Sequence, residues 1–313
     1  MSVKVFIDGS SGTTGLRIAD RLAQRPEIEL LSISAEGRKD VNERAKVINS
    51  ADLAFLCLPD AASKEVMPLL RPDVKVLDTS TAFRTDAAWD YGFPELAGQK
   101  EKIKNSYRVA VPGCYASGFI SIARPLVELG LAPASYPFSC TGISGYSGGG
   151  KKMIAEYEST DRPAHSKLDA PKSYGLGLAH KHLPEMQKIS GLAHTPMFVP
   201  VVCDYYCGMQ VLVPLDLKLA GTTAEAVAAG FADYYKDAAT VKVHALNEAL
   251  PENGLYSNAM AGTDRMELYM TVNAAGDQMM LVSLFDNLGK GSSGAAVQCM
   301  NLMLGLPETE GLE

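Results

Sequence analysis

Short apolar runs alternate with helix-like stretches over the first half of the chain. Because parallel strands are joined through helical crossovers, this alternation predicts a parallel sheet built from βαβ units. A helix is predicted over residues 15–25, with Leu16, Ala19 and Ala23 on its apolar face. The predicted strands cover residues 3–7, 29–34, 53–58 and 74–78.

The pattern changes after about residue 135, where apolar and polar positions alternate singly. Met266, Leu268, Met270 and Val272 lie two apart, which is typical of a half-buried strand. A Thr-x-x-Glu capping box predicts a helix over residues 222–236 with Val227, Phe231 and Tyr234 on its apolar face. Further strands are predicted at 211–219 and 278–285. This half is predicted to form a mostly antiparallel sheet with a few helices.

The two patterns predict an α/β protein with two domains, in agreement with a prior of ~150 residues per domain for a chain of 313 residues. A Rossmann-type dinucleotide-binding domain is expected at 1–113 together with 287–313. An α+β domain is expected at 114–286. The helix-like segment 295–304 is expected to return to the first domain.

Charge and cysteine content restrict the class of function. The net charge is −7, and this argues against a nucleic-acid or anionic-membrane partner, which needs a basic face. A small anionic substrate remains compatible, because a few local cations suffice for it. The start of the chain resembles no secretion signal and no apolar run is long enough to cross a membrane, so a cytoplasmic protein is expected. The cysteines are scattered, which predicts free thiols and no metal site.

A glycine-rich turn joins the first predicted strand to the first helix in a GxxGxxG spacing. Glycines there permit a tight turn, so that a pyrophosphate can lie on the N–H groups of the helix N-terminus. A merely glycine-rich turn is the alternative, but the position at the first βα junction favours a dinucleotide. The candidate residues are Gly9, Ser11, Gly12, Thr13, Thr14 and Gly15.

The end of the second predicted strand indicates which dinucleotide binds. Ser34, Arg38 and Lys39 lie where an acidic residue would bind the ribose of NAD, and they suit the 2′-phosphate of NADP(H). Glu36 leaves NAD open, because it could pair with Arg38 or bind the ribose itself. Pro59 ends the buried strand 53–58, either beside the nucleotide or as an ordinary strand stop.

Cys114 is the candidate nucleophile. Pro112 and Gly113 break the preceding strand, and a helix-like run begins directly after them. A thiol at a helix N-terminus has its pKa lowered from ~8.5 towards neutrality. Pro125 is expected to kink or shorten this helix. Cys57, within an apolar run, is expected to be a small buried hydrophobic residue.

The segment Pro-Gly-Cys-Tyr-Ala-Ser-Gly at 112–118 resembles the active-site motif of the N-acetyl-γ-glutamyl-phosphate reductases, with Ser117 in place of the usual threonine. Segments similar to that family occur in order along nearly the whole chain, at 78–84, 91–96, 142–151, 180–185 and 287–298. The aspartate-semialdehyde dehydrogenases share the expected architecture but not this cysteine motif.

The resemblance implies NADPH-dependent reduction of an acyl phosphate to an aldehyde through a thioester on Cys114, in arginine biosynthesis. A histidine would act as general base near neutral pH. His180 and His182 are both candidates, and Glu185 is expected to orient one of them. The resemblance also implies a homo-oligomer, a dimer or a tetramer. It further implies that the turn carrying Asn287 and Gly291 contacts the cofactor.

The substrate of such an enzyme carries a phosphate and a carboxylate. A guanidinium, an ammonium and a run of backbone amides would meet those charges. The candidates are Arg84, Lys151, Ser144 and Gly145, with the backbone of 144–150 as the amide nest. Two alternatives stay open: a sister acyl-phosphate reductase acting on aspartate or in lysine synthesis, and a non-catalytic NADP-sensing regulator.

Overall fold

The computed structural model describes residues 2–313. The chain divides into two compact units, the first formed by residues up to 113 and 292–312, the second by residues 114–291 with Glu313. Residues 287–291, which the sequence assigned to the first domain, therefore lie in the second unit. Backbone bonds explain this placement, because the Gly291 N–H donates to the Asp286 carbonyl at 2.9 Å.

The first unit contains a six-stranded parallel sheet with the strand order β2-β1-β3-β4-β6-β5. This parallel βαβ arrangement confirms the predicted Rossmann-type domain. Its elements are β1 (Val3–Asp8), α1 (Thr13–Leu22), β2 (Ile28–Leu31), α2 (Val41–Ser50), β3 (Leu53–Leu56), α3 (Asp60–Val66), β4 (Lys75–Asp78), β5 (Asp90–Tyr91), α4 (Gln99–Asn105) and β6 (Arg108–Ala110).

Alternate residues of β1 enter separate cores on the two faces of this sheet. Val5 and Ile7 pack in one apolar cluster and Phe6 in the other, so both faces are covered, as a parallel sheet requires. The predicted apolar face of α1 is wrong: Leu16 is 50% exposed, whereas Ile18 and Leu22 are fully buried. The helix starts at Thr13 rather than at residue 15, and Ile18 and Leu22, four apart, form the stripe that faces the sheet.

The second unit contains a seven-stranded mixed sheet with the order β11-β12-β13-β10-β7-β9-β8. Four of its six pairings are antiparallel and two are parallel, which confirms a mostly antiparallel sheet. Its elements are α5 (Cys114–Glu128), β7 (Ser139–Gly145), α6 (Gly150–Tyr157), β8 (Lys172–Ser173), α7 (Leu183–Ser190), β9 (Met197–Cys203), β10 (Met209–Asp216), α8 (Leu217–Ala220), α9 (Ala224–Tyr234), β11 (Val241–Val243), β12 (Met266–Val272) and β13 (Gln278–Phe285).

Helix α5 lies directly on this sheet because it carries a glycine at the closest approach. A Cβ on Gly118 would lie 2.6 Å from Val211 Cγ2 and 2.7 Å from Ser283 Oγ. Pro125 does not end the helix, which continues to Glu128. Proline has no N–H to donate to the carbonyl four residues earlier, and that carbonyl, of Ser121, instead accepts from the Tyr235 hydroxyl at 2.7 Å.

Two further boundaries differ from the sequence prediction. Thr223, not Thr222, caps α9, because its hydroxyl accepts the Ala226 N–H. Strand β2 stops at Leu31, so Ser34 lies in a turn beyond the strand rather than at its end.

The chain then returns to the first unit. A π-helical turn over Gly289–Ser293 leads into α10 (Gly294–Leu304). Val297, Met300 and Met303 of α10 join the apolar cluster that contains Val5 and Ile7. The predicted return helix is therefore part of the core of the first unit. Within residues 2–313, no helix is both long and apolar enough to cross a membrane.

Candidate active site

The glycine turn of the first unit is shaped by two close backbone contacts. Gly9 adopts a φ of +88°, and a Cβ there would lie 2.3 Å from the Cys57 carbonyl oxygen. A Cβ on Gly15 would lie 2.5 Å from the Gly9 carbonyl oxygen. Gly12 occupies the N-cap position of α1, so no side chain covers the helix N-terminus at that position. This cradle of bare backbone suits a pyrophosphate.

The other predicted nucleotide residues surround the same edge of the parallel sheet. Ser34, Arg38 and Lys39 are exposed on the turn after β2, and the Ser34 hydroxyl accepts the Gly37 N–H at 3.0 Å. Pro59 is exposed at the N-cap of α3. The Thr14 hydroxyl shares a 3.1 Å hydrogen bond with the Ser292 hydroxyl, so the returning chain lies against the turn.

Cys57 lies at this edge and is unsuited to be a nucleophile. Burial, together with the negative charges of Asp78 and Asp8, raises the pKa of its thiol to about 12. The raised pKa agrees with the prediction of an unreactive residue in apolar surroundings. The side chain is nevertheless partly exposed rather than buried.

Cys114 is the first residue of α5, in the second unit. Its side chain is partly exposed, which leaves the thiol accessible. Gly291 packs against it, since a Cβ on Gly291 would lie 2.9 Å from the Cys114 Cβ. The structure thus puts Gly291, predicted as a cofactor residue, beside the candidate nucleophile, where any larger residue would press on the cysteine.

Tyr115 is the residue that organises the surroundings of Cys114. Its hydroxyl donates to the Val201 carbonyl at 3.2 Å and accepts from the Tyr174 hydroxyl at 3.4 Å. Its ring fills the space over Gly142, where a Cβ would lie 2.4 Å from Tyr115 Cδ1. Burial raises the pKa of Tyr115 far above its usual value and that of Tyr174 to about 12, with the negative charge of Cys114 contributing to both.

The two candidate histidines lie together against Tyr115. The ring centroids of His180 and His182 are 5.9 and 6.1 Å from that of Tyr115, and 4.7 Å from each other. His182 is 5% exposed, whereas His180 is partly exposed. The structure therefore brings both imidazoles to the residue that follows the candidate nucleophile.

A hydrogen bond distinguishes the two imidazoles. The His182 backbone N–H donates to His180 Nδ1 at 3.2 Å, so Nδ1 of His180 carries no proton. Burial and the positive charge of Lys181 lower the pKa of His180 to about 4. His180 is thus a neutral imidazole with its proton on Nε2.

Helix α7 begins directly after His182. Glu185, in the first turn of α7, is 2% exposed. His182 occupies the N-cap position, and the backbone N–H of Met186 donates to its carbonyl at 3.0 Å. The helix therefore fixes the main chain of His182 from its C-terminal side.

The predicted amide nest at 144–150 is wrong for its first residues. The N–H groups of Gly145, Tyr146 and Ser147 donate to the carbonyls of Gly208, Tyr205 and Tyr206, at 2.9–3.0 Å. These amides are used to hold the turn to the 205–208 loop and cannot also bind phosphate. Ser144 is buried, with its hydroxyl bonded to the Gly145 carbonyl, and Lys151 is exposed in the first turn of α6.

Both ends of the Asn287 side-chain amide are also hydrogen-bonded to other parts of the protein. Its Oδ1 accepts the Gly208 N–H at 2.8 Å and its Nδ2 donates to the Ser147 hydroxyl at 3.0 Å. The side chain is 1% exposed. Asn287 therefore joins the two loops, and its predicted contact with the cofactor is not supported by this geometry.

Arg84 lies in the first unit and is 8% exposed. Its Nε donates to the Val111 carbonyl at 2.9 Å and its Nη2 to the Thr79 carbonyl at 3.0 Å. The guanidinium was predicted to bind the substrate, but these donors are directed at main-chain carbonyls instead. Arg84 ties the loop after β4 to the segment three residues before Cys114.

Sequence reasoning missed the aromatic residues around the histidines. Phe198 lies 5.2 Å from the His180 ring and 5.1 Å from that of Tyr115, and Tyr174 lies 6.0 Å from His180. Phe198 belongs to β9 and Tyr174 to a loop, far from Cys114 in sequence. No spacing pattern connects them to the cysteine, so the fold alone reveals them.

Two family models match the chain, and together they cover most of it. The semialdehyde dehydrogenase NAD binding domain matches residues 4–106. The semialdehyde dehydrogenase dimerisation domain matches residues 114–287. The first match agrees with the glycine turn and parallel sheet, and confirms the prediction of a nicotinamide dinucleotide site.

Curated relatives match over nearly the full length. The chain is 46% identical over 318 aligned residues to an N-acetyl-γ-glutamyl-phosphate reductase of Trichormus variabilis, covering 99% of each protein. It is 47% identical over 305 residues to an N-acetyl-γ-glutamyl-phosphate reductase of Burkholderia cenocepacia, covering 96% of this chain and 97% of the relative. The solved aspartate semialdehyde dehydrogenase of Francisella tularensis shares the fold, with a TM-score of 0.70 at 15% identity over 96% of this chain and all of that one.

Proposed function

The chain belongs to the N-acetyl-γ-glutamyl-phosphate reductases of the semialdehyde dehydrogenase family, and from this premise we propose the reaction and the roles of its residues. The enzyme reduces N-acetyl-glutamyl 5-phosphate to N-acetyl-glutamate 5-semialdehyde, a step of arginine biosynthesis. The names of the relatives support this substrate over that of a sister reductase. The accessible Cys114 at a helix start supports an enzyme over a sensor.

The cofactor is NADP(H). The backbone cradle formed by Gly9, Gly12 and Gly15 fits a pyrophosphate, and its tight turn requires glycine because a Cβ on Gly9 or Gly15 would collide with neighbouring backbone. Ser34, Arg38 and Lys39 are exposed and suit the 2′-phosphate. When bound, NADPH supplies the hydride that reduces the acyl carbon.

The nucleophile is Cys114. Its thiolate attacks the acyl carbon, a C–S bond forms, and the C–O bond to phosphate breaks as phosphate leaves. After reduction, the C–S bond of the hemithioacetal breaks, and aldehyde and thiolate are released. The single observation that carries this role is the position of a partly exposed thiol at the first residue of α5, where the helix dipole favours the anion.

The general base is His182, which takes the thiol proton before attack and returns a proton when the thiol is released. Two observations favour it over His180. The Nδ1 lone pair of His180 already accepts a backbone N–H, and its pKa of about 4 makes it a poor proton acceptor near neutral pH. His182 is buried beside Tyr115, and the buried Glu185 follows it by one helical turn.

Lys151 is proposed to meet an anionic group of the substrate, supported by its exposure in the first turn of α6. Residues 1–113 with the returning segment are proposed to hold the cofactor, and 114–286 to carry catalysis. We also infer a homo-oligomer, supported by the match to a dimerisation domain. A cytoplasmic location is supported by the free thiols, which a reducing compartment preserves.

The experiment that tests the thioester is the substitution Cys114→Ser. The oxygen of serine is not ionised near neutral pH, so kcat for NADP-dependent, phosphate-stimulated oxidation of the semialdehyde should fall by at least ~10³-fold. Mass spectrometry of the wild-type enzyme mixed with the acyl phosphate alone should show an acyl adduct on the peptide containing Cys114.

The matched control is Cys203→Ser, because Cys203 is a partly buried thiol in the same unit whose pKa is raised by burial. This variant should keep near-wild-type kcat. Near-wild-type turnover by the Cys114 variant, or an adduct on another cysteine, would refute the proposed nucleophile.

A further inference from the structure

His180, which is not the proposed base, makes a specific contact with the main chain of His182, which is. His180 Nδ1 accepts the His182 backbone N–H at 3.2 Å, two residues further along the chain. The same geometry occurs when an Asx side chain accepts a backbone N–H two residues on and stabilises a turn. His180 thus closes a side-chain-to-backbone turn immediately before α7.

Neighbouring rings restrict the orientation of the His180 imidazole. Its ring is almost perpendicular to those of Tyr115 and Phe198, with interplanar angles of 89° and 87° and centroid distances of 5.9 and 5.2 Å. The ring centroid of Tyr174 lies 6.0 Å from that of His180. With the ring held, its Nδ1 is a fixed acceptor for the residue 182 amide.

We propose that His180 is a positioning residue whose neutral Nδ1 holds the main chain of His182 and thereby aims the imidazole of the base. The proposal rests on the proposed role of His182. It explains how the loop before α7 reaches a defined conformation: the helix fixes His182 from one side, through the Met186 N–H, and His180 fixes it from the other. Remote groups that set such geometry matter, because a misplacement of ~1 Å can cost ~10²-fold in rate.

Protonation would destroy this contact, because Nδ1 would become a donor facing another N–H donor. The titratable groups that face the ring are Tyr115, Tyr174 and His182, and Lys181 is its charged neighbour in the chain. Burial and Lys181 both oppose a positive charge on the ring. The contact therefore persists over the pH range in which a histidine base works.

Two substitutions test the Nδ1 acceptor of His180 separately from its aromatic ring. His180→Phe keeps an aromatic ring but removes the acceptor, and kcat should fall by ~10–100-fold with KM for the acyl phosphate changed less than ~3-fold. His180→Asn removes the ring but supplies an Oδ1 suited to the N–H two residues on, and should retain kcat within ~5-fold. His194→Asn, at an exposed histidine, is the control. A Phe variant with near-wild-type kcat, or an Asn variant as impaired as the Phe variant, would overturn the proposal.

A second measurement is independent of the reaction. In protein carrying ¹⁵N-labelled histidine, His180 should show an unprotonated Nδ1 and a protonated Nε2 throughout pH 5–8, with its resonances assigned by their loss in His180→Asn. A protonated Nδ1 at pH 7 would overturn the positioning role whatever the kinetics show. Failure of the base assignment has a different signature: His182→Asn would retain wild-type kcat while the His180 tautomer stays as described.

Discussion

At the scale of single residues, the environment of each thiol decides its reactivity. Burial raises the pKa of Cys57 to about 12 and also raises the pKa values of Cys140 and Cys203. Cys114 differs in starting a helix of 15 residues, and its side chain is partly exposed. Since the thiolate is the nucleophilic form, labelling near neutral pH should select Cys114.

The cofactor preference also belongs to single residues. Arg38→Ala should raise KM for NADPH by ~10-fold and leave KM for NADH within ~2-fold, because a charge-assisted hydrogen bond to the 2′-phosphate contributes ~1.5–3 kcal/mol when shielded and less when exposed. Steady-state kinetics with both cofactors measures this. Lys46→Ala, 77% exposed on α2, is the control and should change neither value. An equal loss with both cofactors would contradict the assignment.

At the scale of elements, α5 continues through a proline because another helix supplies the missing donor. Pro125 cannot donate to the Ser121 carbonyl, and the hydroxyl of Tyr235, at the end of α9, takes that place at 2.7 Å. A buried carbonyl without a partner costs ~1–3 kcal/mol. The contact thus ties α9 to the helix that carries the nucleophile.

Tyr235→Phe should therefore lower the free energy of unfolding by ~1–3 kcal/mol, measured by urea denaturation. Tyr234→Phe is the matched control: it removes a more exposed hydroxyl, bonded to Glu128 at 2.8 Å, and should cost no more than ~0.5 kcal/mol. In a Pro125→Ala background the new N–H can serve Ser121, so Tyr235→Phe should cost less there. Equal costs in the two backgrounds would contradict the substitute-donor role.

The periodic patterns predicted most helices and strands, but not which residues of a helix are buried or which residue caps it. The strand at 278–285 and the parallel sheet follow from local patterning, whereas the buried stripe of α1 and the cap of α9 depended on shifts of one or two residues. Cys114 and the histidine pair could be proposed from the sequence because each lies in a local motif. Arg84 and Asn287 each bond to a residue far away in sequence, 27 residues for Arg84 and Val111 and 140 residues for Asn287 and Ser147, so no local pattern reports these contacts.

At the scale of the whole molecule, the core of the first unit is completed by the last helix. Val297, Met300 and Met303 are at most 2% exposed and pack with Val5, Phe55 and Leu77. Arg25 adds a polar tie to this region: its Nη1 donates to Asn301 Oδ1 at 2.7 Å. One face of the sheet of residues 3–110 is thus only partly covered, by α1 and α4, until α10 packs on it.

A fragment of residues 1–113 should therefore fail to fold, since removing α10 exposes the part of the parallel sheet that α1 and α4 do not cover. The same fragment joined to 292–313 through about four glycines should unfold cooperatively and bind NADPH, because Gly291 lies beside Cys114 and a short loop can connect the ends. Circular dichroism melting and cofactor fluorescence measure both. A cooperative transition in the shorter fragment at the same temperature would contradict the prediction.

The position of α10 has a consequence for synthesis on the ribosome. Domains generally fold in the order in which they emerge, at ~5–20 residues per second. Here the N-terminal sheet must wait roughly 10–40 s, the time in which the next 180 or so residues are translated, before its last helix appears. During that interval the uncovered part of its apolar face is open to chaperones and to other nascent chains, so slowed translation of residues 114–291 should reduce the yield of active enzyme more than equal slowing before residue 113.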